Sequence, residues 1–211
     1  MKDRFALRLM NWVYGVIVSL EILNLLVLNL IILNQKKNYF IFTKKHFKIM
    51  IPTIKTSSEK KLIGMNLKMT YAENKTFQLW SRFMPRRKEI ENIVSNDFIS
   101  LQIYEPSFDF VNFSFNSVFE KWALIEVSDF NTVPTEMETL TLEEGLYAVF
   151  IHIGDVTTAE KTFRFIFEEW LPNSKYVLDN RPHFEVLGSK YKKDDPTSEE
   201  EIWIPLKDKR Q

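Results

Sequence analysis

One pattern is written twice along this chain, and it constrains the fold more than any other feature. KKLIGMNLKMTY (Lys60–Tyr71) alternates Ile63, Met65, Leu67 and Met69 along one side, as a strand does. Asn74 follows as a helix N-cap, and Phe77, Trp80 and Met84 then fall at i, i+3 and i+7 before Pro85. FISLQIYEP (Phe98–Pro106) and KWALIEVSD (Lys121–Asp129) read as two more strands. The order then recurs. GLYAVFIHIG (Gly145–Gly154) is a strand, and Thr157 with Glu160 forms a capping box. Phe163, Ile166, Phe167 and Trp170 make a helical stripe that Pro172 ends. His183–Gly188 and Glu201–Leu206 complete the set. The expected fold is α+β: a duplicated strand–helix–strand–strand module with pseudo-twofold symmetry, a mostly antiparallel sheet and helices on one face.

Composition removes most familiar chemistry. The 211 residues contain no Cys, so disulfides, thiolate metal sites and cysteine catalysis are excluded. The five Gly are too scattered for a phosphate-binding loop, and the three His lack zinc-protease spacing. No metal, cofactor or catalytic residue is assigned.

Charge is balanced overall, with 28 basic and 28 acidic side chains, but it is unevenly placed. Residues 1–50 hold eight basic and two acidic groups, a net of +6, which leaves −6 on the remaining 161 residues. An acidic body repels a phosphate backbone, so no direct nucleic-acid partner is expected.

The division falls at residues 1–49, an apolar and basic extension, and residues 50–211, which carry the repeat. Residues 9–33 are almost unbroken apolar, and as a helix they would span about 37 Å, enough for a bilayer core of about 30 Å. Glu21, Asn24 and Asn29 interrupt that stretch. Three readings stay open: a membrane anchor, a start set too early ahead of Met50, and a buried helix. The expected location is the cytoplasm, or, with an anchor, the membrane with the C-terminal domain on its cytoplasmic side.

Strand alternation sorts the side chains. Ile202, Ile204 and Leu206 are assigned to the helix-bearing side, which turns Trp203 the other way. Phe184 and Val186 are assigned to the helix side too, placing His183 and Glu185 beside Trp203. Ala123, Ile125 and Val127 leave Trp122 and Glu126 on the open face, with Tyr104 and Gln102 alongside. The expected ligand surface is therefore Glu185, Trp203, Trp122, Glu126, Tyr104 and His183. Carboxylates among aromatic rings attract cationic or polarised molecules through charge and ring quadrupole together.

The blocks FMPRRKEI, KWALIEVSDF, IFEEWLPNSKYVLDNRPHFEVLGSKY and SEEEIWIPLK, within Lys60–Lys207, resemble the gyrase-inhibitor-like (GyrI-like) small-molecule-binding family. That family supplies the effector-binding domain of many AraC-type and MerR-type regulators and also occurs free-standing. The resemblance implies a ligand groove between two similar halves, with a buried Glu in the penultimate strand matched by Glu185. The implied function is a stand-alone binding protein for cationic or amphipathic aromatic molecules, a sensor or sequestering factor. Two alternatives follow: a hydrolase of strained electrophiles using a groove Glu, and a membrane-tethered adaptor.

Overall fold

The computed structural model describes residues 50–105 and 114–209. Their elements are β1 (Thr53–Ser57), β2 (Lys60–Met69), α1 (Thr76–Arg86), β3 (Ile93–Tyr104), β4 (Phe119–Val127), β5 (Glu138–Leu142), β6 (Gly145–Ile153), α2 (Val156–Arg164), β7 (Tyr176–Leu178), β8 (His183–Leu187) and β9 (Glu199–Asp208). A 3₁₀ turn, Arg87–Glu89, follows α1. A π-helical turn, Phe165–Trp170, and a last turn, Leu171–Asn173, prolong α2.

The strands pair antiparallel in the order β1-β6-β9-β8-β3-β4-β2-β5, with β7 on the far half of β9. Two short connections force this sheet to curl. Leu142 ends β5 and Gly145 opens β6, yet those strands lie near opposite ends of the order. Three Cα steps reach about 11 Å, whereas six strand spacings in a flat sheet would be about 29 Å. The link from Ser57 to Lys60 imposes the same closure between β1 and β2.

Register fixes which side chains share a face. Ile63, Ile125 and Phe98 line up across β2, β4 and β3, and Ser100, Glu185, Ile202 and Phe150 continue that face through β8 and β9 to β6. Both helices pack there. Leu79 and Phe83 of α1 join Ile63, Met65, Ala123 and Ile125. Ile166, in the π turn after α2, joins Ala148, Phe150, Ile202 and Ile204. The opposite, inner face of the curl holds Leu62, Leu101, Trp122, Leu124, Tyr147 and Phe184, all buried. Both sides of the sheet are thus core.

Local signals sit close to where the sequence places them. Asp155, rather than Thr157, caps α2, its carboxylate accepting from the Thr157 amide at 2.9 Å. A carboxylate is the stronger partner for the positive end of a helix. Asn74 accepts from the Thr76 amide at 2.9 Å, just ahead of α1. Pro85 lies within the last turn of α1. Strands β1, β5 and β7 are additions to the expected six.

The expected membrane partner through residues 9–33 is corrected: among the described residues no helix is long and apolar enough to cross a membrane. Residues 9–33 themselves lie outside the described residues, as do 106–113, part of the loop expected around Asn112.

Candidate functional site

The helices cover the flanks of their face and leave its centre to polar groups. α1 packs over β2 and β4, and the α2 arm packs over β6 and β9. Between them lie the central strands β3 and β8, paired Ser100 to Glu185 and Gln102 to His183. Lys121 of β4 stands opposite Gln102. Its ammonium reaches Glu185 Oε2 at 3.1 Å, with side-chain exposures of 6% for Lys121 and 14% for Glu185. Gln102 Nε2 donates to Glu185 Oε1 at 3.2 Å. Burial alone would raise the Glu185 carboxyl, but Lys121 and hydrogen bonds from Ser100 and Gln102 outweigh it and hold the group below its ordinary value.

Aromatic rings surround this pair. Tyr104 packs edge-on to His183 at 5.5 Å, and Phe167 stacks on the same imidazole at 5.8 Å. The hydroxyls of Tyr104 and Tyr71 meet at 2.7 Å. Burial pushes the Tyr104 phenol well up, helped by Tyr71 and the Glu185 charge. Burial also depresses His183 to about 4, against a weaker upward pull from Glu185, so the ring is neutral at physiological pH. This patch offers hydroxyl, amide and imidazole groups beside one compensated carboxylate.

Glu200 is a second acid on the same face, two residues before Ile202 in β9. Burial and the Glu185 charge raise it to about 7, with Lys121 pulling the other way. It lines a hollow of about 360 Å³ where β8 and β9 diverge, with Asp97, Ile151, Gly188 and Lys190. The β8–β9 connection reaches across to α1, where the Lys193 ammonium sits 5.1 Å from the Phe77 ring.

The structure divides the expected site residues. Glu185, His183 and Tyr104 come together on the helix-bearing face, while Trp203, Trp122 and Glu126 lie on the other. The expected neighbourhood of Glu185 and Trp203 is corrected, since Trp203 pairs with Phe184 across β8 and β9 and stacks on it at 5.1 Å. The apolar set of β8, Phe184 and Val186, faces the inner core rather than the helices. With both faces buried, aliphatic character on one set no longer identifies the helix side. Trp122 is 4% exposed, within the inner core. Glu126 pairs with Lys60 at 2.7 Å beside a hollow of about 160 Å³ that Trp203 also lines. The two hollows together share Asp97, Val186 and Glu201.

Lys121 and Glu200 were not among the expected site residues, yet the sequence held a signal for both. Lys121 is in phase with Ala123, Ile125 and Val127, and Glu200 with Ile202 and Ile204. A charge in phase with a buried aliphatic set needs a partner or a function. Among the described residues no group of His, Asp or Glu is arranged to hold a metal ion.

Two helices flanking a buried charged patch on one side of a curled antiparallel sheet make this an α+β module. The chain belongs to the family of the GyrI-like small molecule binding domain, whose sequence pattern matches residues 50–207. Among solved structures it is similar to the C-terminal domain of EcmrR, at 12% identity over 76% of this chain and 99% of that one, with a TM-score of 0.58. An integron cassette protein from the mobile metagenome of Vibrio cholerae gives 15%, 74%, 95% and 0.54 for the same quantities. SAV2435 bound to tetraphenylphosphonium gives 16%, 75%, 94% and 0.50. Identities this low carry the fold alone. Comparison with the curated proteins gave no match.

Proposed function

We propose that this protein binds amphipathic or cationic aromatic small molecules between its two helices and acts as a sensor or sequestering factor. The observation that carries the reading is the buried Lys121–Glu185 pair at 3.1 Å, ringed by Tyr104, His183 and Phe167 at the centre of the sheet. Burying charge is costly, and a purely structural module would fill this place with aliphatic side chains at no loss of stability. Membership of a small-molecule-binding family and the tetraphenylphosphonium bound to SAV2435 support the same reading.

The fold also supports a duplication. β2, β3 and β4 lie in the order β3-β4-β2, and β6, β8 and β9 lie in the matching order β8-β9-β6. The strand preceding each set, β1 or β5, pairs with the first strand of the other set. On this reading the ligand meets the junction of the two halves, where β3 and β8 pair.

Calorimetric titration of the full chain with tetraphenylphosphonium and with uncharged triphenylphosphine oxide tests the proposal. Saturable one-to-one binding of at least one probe, changed fivefold or more by Glu185→Gln, is the expected result. No saturable binding of either probe, or equal affinities in wild type and Glu185→Gln, would overturn it.

A further inference from the structure

The central carboxylate already holds a cation of its own. Lys121 Nζ occupies Glu185 Oε2 at 3.1 Å, and Gln102 Nε2 occupies Oε1 at 3.2 Å. Both oxygens are engaged, and the pair as a whole carries no net charge. Lys121 cannot readily withdraw, because its side chain is 6% exposed and rises from the middle of a strand paired on both sides. A permanent cation entering here meets the ammonium as a like charge in a medium that screens poorly.

We propose that Lys121 is a built-in counter-cation that fits this site to uncharged aromatic molecules carrying a hydrogen-bonding oxygen or nitrogen, leaving the neighbouring Glu200 as an acid without a bonded cation. This rests on the reading that the site binds small molecules, and narrows its ligand class. The groups beside the ion pair suit such a ligand: the Gln102 amide, the paired hydroxyls of Tyr71 and Tyr104, and the flat ring of Phe167. Among the described residues Glu200 has no hydrogen bond or ion pair from its side chain, and it lines the larger hollow.

Cation binding through Glu200 is therefore tied to its proton. The charged and titratable groups set around it are Glu185 of β8, Lys121 of β4, Tyr191 of the β8–β9 connection, His152, its cross-strand partner on β6, and Asp97 of β3 and Glu201 of β9, which line the same hollow. The His152 ring bonds the Thr162 hydroxyl of α2 at 2.8 Å, and Lys190 is held by Glu199 at 2.8 Å. Glu185 and Lys121 cancel, and Lys190 and Lys55 pair with Glu199 and Glu201, so loss of the Glu200 proton adds one negative charge beside that of Asp97. Burial holds that proton to about pH 7.

Titration of the full chain with tetraphenylphosphonium and triphenylphosphine oxide at pH 6 and pH 8.5 tests this. The two probes match in shape and differ in charge. Wild type is expected to favour the oxide tenfold or more at pH 6. At pH 8.5 phosphonium affinity rises at least fivefold while oxide affinity holds, and Glu200→Gln abolishes that rise. Lys121→Met, which frees Glu185, is expected to shift the preference toward phosphonium, and Lys121→Arg to restore the oxide. A wild type that prefers phosphonium at pH 6 overturns the inference even if Lys121→Met does not fold. So does a folded Lys121→Met with an unchanged preference. Both results leave the binding function standing, whereas failure of both probes to bind removes the function and the inference together.

Discussion

Lys121 and Glu185 come from strands that are not neighbours, β4 and β8, and meet at 3.1 Å across β3. One charge of each sign is thereby buried at the centre of the sheet, between the two helices. A buried pair of this kind contributes little net stability over an apolar replacement, but losing one member strands the other. Glu185→Gln and Lys121→Met are each expected to cost about 3 kcal/mol or more. The double variant should cost less than the sum, because neither charge is left uncompensated. Urea unfolding of the four proteins checks this.

The pH dependence of stability carries two opposed contributions. Folded Glu200 keeps its proton to about 7 against an ordinary value of 4.5, so between these pH values the folded state holds the extra proton. Its contribution falls as pH rises through that window. Folded His183 titrates near 4 against 6.5, so between those values the unfolded state holds the extra proton, and its contribution falls as pH drops. The two slopes oppose each other from pH 4.5 to 6.5. Relative to wild type, Glu200→Gln should become more stable as pH rises from 5 to 7, and His183→Gln should become more stable as pH falls from 6.5 to 4.5. Denaturant midpoints across this range decide it.

Trp203 and Phe184 belong to the inner core. Phe184→Ala is expected to cost about 3–5 kcal/mol through the cavity it leaves, while the folded fraction keeps its affinity for triphenylphosphine oxide within a factor of two. A large loss of affinity would place ligand on the inner face.

Gly64 has no room for a side chain. A Cβ there would lie 1.9 Å from the Ala123 carbonyl oxygen, a backbone atom that cannot move aside. Gly64→Ala should cost about 3 kcal/mol, measurable by thermal or urea unfolding, with no change in ligand preference.

Much of this was legible in the sequence. The six expected strands and both helices follow from alternation and from the stripes ending at Pro85 and Pro172. The facing of β4 and β9 follows from Ala123, Ile125 and Val127 and from Ile202, Ile204 and Leu206. The facing of β8 did not follow, because Phe184 and Val186 suit either buried side of a curled sheet. Only the pairing of Glu185 with Ser100 and Ile202 decides it. The curl itself depends on β1 and β5, whose exposed, polar sequences Thr53–Ser57 and Glu138–Leu142 carry weak signals. Glu126 illustrates the remaining gap. Its partner is Lys60 of β2, brought beside it only by the pairing of β2 with β4.

The central claim is that ligand meets the helix-bearing face at Glu185 and not the indoles of the inner face. Side-chain NMR signals of Gln102, Trp122 and Trp203 in the full chain, followed during saturation with triphenylphosphine oxide, test it most directly. The account predicts that the Gln102 amide signals shift while both indole N–H signals hold their positions. Shifted Trp203 and Trp122 indoles with an unmoved Gln102 would contradict it.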